Sequence, residues 1–125
     1  MRNGLTLRLD TSKKGREAVF KPWQNEAVNL LLEAHEEHSS NEMHMRLRAR
    51  DHDISRASVI NFLDGLSEAN LATKREESSK GGYKGIYQIA ETREEFNNRI
   101  VEIFCMKMIE AFPDIEWLKE IWEVE

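Results

Sequence analysis

The chain is poor in several things that would each have pointed somewhere. It has one cysteine, Cys105, and only two prolines in 125 residues. A lone thiol excludes an internal disulfide framework and a multi-cysteine zinc site. No apolar run approaches the ~18 residues that a membrane span needs, so no membrane partner is expected. The opening stretch "MRNGLTLRLDTSKKG" lacks the apolar core of a secretory signal. There is no Gly-rich phosphate loop, no nucleophile motif and no carboxylate pair in an apolar setting. The chain is therefore not expected to be an enzyme or to carry a cofactor. Cys105 sits in an apolar run and reads as packing.

What is present suits one globular domain of ordinary size, with 40% apolar and 33% charged residues. A cytoplasmic location is the expectation. The net charge of −5 is unevenly spread. Residues 1–87 hold 14 Lys and Arg against 13 Asp and Glu; residues 88–125 hold 4 against 10. The acidity belongs to the C-terminal part, which leaves room for a local basic face elsewhere.

Residues 1–21 read as an arm or short strand ("LTLRL") followed by a basic loop. Pro22 suits a first helical turn, and Trp23, Ala27, Leu30, Leu31 and Ala34 have helical spacing, which predicts a helix over 22–37. Ser39 and Glu42 have capping-box spacing ahead of a second helix over 40–50. Ser55 is a good N-cap for a third helix over 56–69, with Val59, Phe62, Leu63 and Leu66 on one face. Asn70 tolerates the left-handed conformation that ends helices. The period then changes to two. Residues 72–90 read as strand, Ser/Lys/Gly-rich tip and strand, with Tyr87 and Ile89 on one side and Lys84, Ile86 and Gln88 on the other. Thr92 and Glu95 form another capping box before a long helix to about 112. Pro113 breaks it, and a short helix closes the sequence.

Two helices, a short turn between them, and a hairpin directly after make the layout of a winged helix. The fold expected is mainly α with a small β-hairpin wing. Its parts are an N-terminal arm (1–21), a winged helix–turn–helix (22–91) and C-terminal dimerisation helices (92–125). Residues 22–97 resemble the winged helix–turn–helix transcription regulators of the penicillinase-repressor type, and more loosely the MarR type. Ser55, Ser58, Val59, Asn61, Leu63 and Leu66 fall on the pattern of the family's third helix. Tyr87 ends the wing, Glu94-Glu95-Phe96 opens the next helix, and Trp23 fits near the start of the first. Asn70 stands in place of the turn glycine, Gly65 stands where an Arg is usual, and the MarR Asp-x-Arg wing signature is missing. The resemblance implies a homodimer, joined by C-terminal helices, that represses transcription.

In that layout the N-terminal turns of the third helix meet base edges in the major groove. Arg56, Ala57, Ser58 and Asn61, with Ser55 before them, lie off the apolar stripe. Arg suits guanine, Asn suits adenine, Ser is adaptable and the Ala methyl suits thymine. Lys74, Lys80 and Lys84 on the wing, with Arg46 and Arg50 on and after the second helix, are candidate phosphate contacts, as is the arm. An ordinary amphipathic helix with a solvated polar face has the same pattern; the hairpin beside it favours the reader. Glu76 and Glu77 oppose phosphate contact. They leave open a winged helix used as a protein–protein module in a larger assembly.

The long fourth helix is apolar on more than one face, and the last helix repeats the pattern. Ile100, Phe104, Met108, Phe112, Leu118, Ile121 and Trp122 are therefore expected in a homodimer interface. Two-fold symmetry would set two recognition helices about 34–36 Å apart on a palindromic double-stranded DNA site. His35 and His38 share a helix face near His44, but a polar helix end explains them better than a metal site, and none is expected. No small-molecule or metal effector can be read from the sequence.

Overall fold

The computed structural model describes Leu5 and residues 7–123. Its architecture is mixed α/β, with five α-helices and a small three-stranded antiparallel sheet among the described residues. It divides into two compact units, Met1–Thr92 and Arg93–Glu125. None of the described helices is long and apolar enough to cross a membrane.

The first unit begins without the short strand that "LTLRL" suggested; its described residues are irregular. The rest of 1–21 is more than a loop. A 3-10 turn spans Gly15–Ala18, and Ala18 and Phe20 are buried. The Arg16 guanidinium donates to Asn25 Oδ1 at 3.0 Å and also to Asn29 Oδ1, which ties this turn to the helix that follows.

Pro22 opens α1 (Pro22–Ala34), and Gln24 Oε1 returns to accept the Lys21 N–H at 2.9 Å. The helix stops three residues before the expected end, because His35 turns left-handed at φ 53. Its ring Nδ1 then bonds the Ile89 carbonyl at 3.1 Å, and its own carbonyl accepts Gln88 Nε2 at 2.7 Å. These long-range bonds win over the local helical preference of residues 35–37. They also lay out β1 (His38–Ser39), a strand that no period-two signal announced.

Both halves of the Ser39–Glu42 capping box form at the start of α2 (Ser40–Ala49). Ser39 Oγ accepts the Glu42 N–H at 3.1 Å, and Glu42 Oε1 accepts the Ser39 N–H at 3.0 Å. Ser55 caps α3 (Arg56–Glu68) by accepting the Ser58 N–H at 3.1 Å. Asn70 takes φ 62, and the Leu71 N–H closes the turn on the Leu66 carbonyl at 2.8 Å.

The chain then runs through β2 (Thr73–Ser79) and β3 (Gly82–Gln88), paired antiparallel across a Lys80–Gly81 turn in which Gly81 has φ 87. β1 joins the free side of β3, giving the order β1-β3-β2. The simple alternation expected for β3 fails at its end. Ile86 and Tyr87 are both buried, so both faces of the sheet are covered there. The core contains Val28 and Leu31 of α1, Met43 and Leu47 of α2, and Val59, Leu63 and Leu66 of α3. Phe62 packs edge-on against Phe20 and Trp23, with centroids 5.6 and 5.3 Å away. Truncating such a ring typically costs about 3–5 kcal/mol.

The second unit holds α4 (Arg93–Ala111) and α5 (Glu116–Glu123). Phe96 and Ile100 are buried within the single chain. Ile100, expected in a dimer interface, is only 5% exposed and has little surface left to offer a partner. The other expected positions stay open in part or in full: Phe104 and Leu118 are half-buried, and Met108, Phe112 and Ile121 are exposed. The side chain of Trp122 lies outside the described residues.

Candidate nucleic-acid interface

α3 divides its circumference cleanly. Val59, Phe62, Leu63 and Leu66 are buried, as the stripe predicted, while Arg56, Ala57 and Asn61 are exposed. Ser58 is half-buried; its backbone N–H and its hydroxyl both bond Ser55 Oγ, the latter at 2.9 Å. The two serines are thus occupied with capping, while the side chains of Arg56 and Asn61 are exposed and form no ion pair among the described residues. Arg46 is exposed on α2, with Arg48 beside it. Lys80 at the hairpin tip and Lys84 on β3 are exposed too. None of these five cations has an ion pair among the described residues.

Three other cations are neutralised locally. Arg50, at the end of α2, contacts Glu26 at 2.5 Å, and Arg75 is held by Glu37 and Glu77 at 2.7 and 3.0 Å. Its bond to Glu37 holds that carboxyl below its ordinary value of 4.5. Lys74 bonds Asp64 of α3 at 2.9 Å and lies 5.7 Å from the centre of the Tyr87 ring. Of the expected phosphate contacts, Lys74 and Arg50 therefore have internal partners, whereas Arg46, Lys80 and Lys84 form no salt bridge among the described residues.

Nothing in the sequence pattern gave Asp64 a role, yet it joins α3 to the hairpin. It also accepts the Tyr87 hydroxyl at 2.5 Å. Tyr87 is 2% exposed, and burial pushes its phenol above the ordinary value of 10, with the Asp64 bond and charge adding to the effect. Gly85 makes this geometry possible, since a Cβ there would meet the Tyr87 hydroxyl at 2.7 Å. An acid three residues after Asn61 on an otherwise polar face is the one signal that could have drawn attention to position 64.

His35, His38 and His44 each bond a backbone carbonyl, that of Ile89, Glu36 and Ile54 respectively. Among the described residues no group of three His, Cys, Asp or Glu is placed to hold a metal ion.

No family model matches the chain, and searches of curated proteins and of solved structures find no match either.

Proposed function

We propose that the chain is a winged helix–turn–helix protein that binds double-stranded DNA as a homodimer and regulates transcription, most simply as a repressor. In this reading α2 and α3 are the helix–turn–helix, and β2, β3 and their tip are the wing. Arg56, Ala57 and Asn61 read base edges in the major groove, and Arg46, Lys80 and Lys84 meet phosphates on either side. The observation that carries the reading is the distribution of uncommitted cations. They sit on α2, on the N-terminal turn of α3 and at the hairpin tip, while the cations packed against Glu26, Glu37 and Asp64 are already neutralised. Phosphate contacts of this kind position a protein on the duplex, and base contacts supply the sequence preference.

The homodimer rests on the second unit. Val101, Met108, Phe112, Trp117 and Ile121 are all about half exposed or more. Monomers seldom leave that much apolar surface open. Two copies can bury these faces with two-fold symmetry, which would present two α3 helices to a palindromic site.

Selection of bound sequences from a random duplex pool tests the reading. It should return a palindrome with half-sites about one DNA turn apart. A rival, the same fold used as a protein–protein module, is favoured by Asp64 on α3 and by Glu76 and Glu77 in β2; a selection that enriches nothing would support it.

A further inference from the structure

An open groove of about 490 Å³ runs between α3, the start of α1 and the N-terminal segment. Its polar walls are Arg8, Lys21, Gln24, Ser58 and Asn61, and Trp23 contributes to its apolar lining. Two of these residues, Ser58 and Asn61, belong to the proposed base-reading helix. Arg8 and Lys21 belong to the N-terminal arm, which the sequence offered as a phosphate contact without naming a residue, and Gln24 lies in the first turn of α1.

The segment that carries Arg8 is seated on α3 by a specific feature. A Cβ at Gly65 would lie 2.7 Å from the Leu5 backbone nitrogen and 2.9 Å from its Cα. The approach is to backbone, so a side chain at position 65 cannot be accommodated by a rotamer change alone. The N-terminal segment thus rests on α3 at Gly65 and brings Arg8 to the groove beside that helix.

We infer that this groove seats a DNA phosphate strand, with Arg8 and Lys21 as its cationic contacts and Gln24 as a hydrogen-bond donor beside them. The inference rests on the DNA-binding role proposed above and adds a third backbone contact to it, on the flank of α3 next to α1. A phosphodiester fits the groove better than a small effector does. Drug-sized ligands are usually enclosed over most of their surface in mainly apolar pockets. This groove is open along one side, and its accessible lining is more polar than apolar. Arg8 and Lys21 are exposed, so meeting a phosphate costs them little desolvation.

The test compares the full chain with Arg8→Ala, Lys21→Ala and Gly65→Ala, each titrated with random duplex DNA and with a selected operator across a range of salt. Each phosphate the protein no longer neutralises should make the plot of log affinity against log salt shallower by about 0.9. Arg8→Ala and Lys21→Ala should each show this on both DNAs alike. Gly65→Ala should act through Arg8, so adding Arg8→Ala to it should bring no further change. Thermal unfolding provides the control for folding, since Ala is a better helix former than Gly by about 1 kcal/mol. Gly65→Ala should therefore leave α3 folded, while the segment it displaces loses its seat on the helix. Unchanged slopes in all three variants would overturn the inference while leaving the wing and α3 contacts standing. Tighter binding on loss of Arg8 or on Gly65→Ala would also overturn it, because the segment would then be a cover on the reading face. A parent that binds neither DNA would overturn the inference and the proposed function together.

Discussion

Asp64→Ala should weaken the fold and strengthen general DNA binding at once. Asp64 accepts two bonds, one from the Tyr87 hydroxyl at 2.5 Å and one from Lys74 at 2.9 Å. Tyr87 is buried, so removing the acceptor strands its hydroxyl, at a cost of about 1–3 kcal/mol. The Lys74 pair is about a third exposed on each side, so solvent screening limits it to about 1 kcal/mol or less. The higher helix propensity of Ala returns about 0.5 kcal/mol. Urea unfolding should show a net loss of about 2 kcal/mol from these terms. Adding Tyr87→Phe should recover about half of that loss, because replacing both partners of a buried bond is far milder than removing one. In DNA titrations Asp64→Ala removes a negative charge from α3 and releases Lys74. Affinity for random duplex should rise, and the salt slope should steepen by up to about 0.9, the value of one added phosphate. A stability change under about 0.5 kcal/mol, well below the cost of a stranded hydroxyl, would refute the reasoning about this cluster. So would a double variant no more stable than Asp64→Ala.

Other perturbations report on separate parts of the account. The phenol of Tyr87 is raised above its ordinary value of 10, so its contribution to stability is complete below pH 10 and is lost as pH climbs toward the folded value. Alkaline unfolding curves should show that loss in the parent, and it should be smaller in Tyr87→Phe. Ser39→Ala removes one arm of the α2 capping box and should cost about 1 kcal/mol in thermal or urea unfolding. The Ser39 N–H holds the Glu42 carboxyl below its ordinary 4.5, so Glu42 stabilises the fold above that pH and stops doing so as pH falls through the lowered value. Lys80→Ala and Lys84→Ala should weaken binding to all sequences alike and flatten the salt slope by about 0.9 for each phosphate left unneutralised, as read by anisotropy. Trp117→Asp and Ile121→Asp should shift sedimentation from a dimer toward the 14.6 kDa chain while the first unit keeps its unfolding transition. A parent that already sediments as the single chain would remove both the dimer and the palindrome.

The helices were legible because their signals are local. The stripe on α3, the Ser39–Glu42 box, the Ser55 cap and the left-handed Asn70 all act within a few residues of themselves. The features that went unread depend on partners far away in the chain. β1 exists because residues 38 and 39 pair with Tyr87 and Ile86, and a two-residue strand has no period of its own. The early end of α1 follows from the bonds between His35 and residues 88 and 89. Asp64 and Lys74 stand in different elements, so nothing in their spacing says that one neutralises the other. Gly65 was legible only as a departure from the family pattern. Its physical reason, the Leu5 backbone resting on it, needs the fold.

The central claim is that this chain binds double-stranded DNA through phosphate contacts around α3. The most direct measurement is the affinity of the parent protein for a labelled random duplex between about 50 and 200 mM salt, set beside the same titration for Arg46→Ala/Lys80→Ala/Lys84→Ala. The account predicts measurable binding that weakens steeply with salt, by about 0.9 log units of affinity per log unit of salt for each phosphate neutralised, and a slope shallower by up to about three such steps in the triple variant. No binding at the lowest salt, or binding with the same slope in parent and variant, would contradict it.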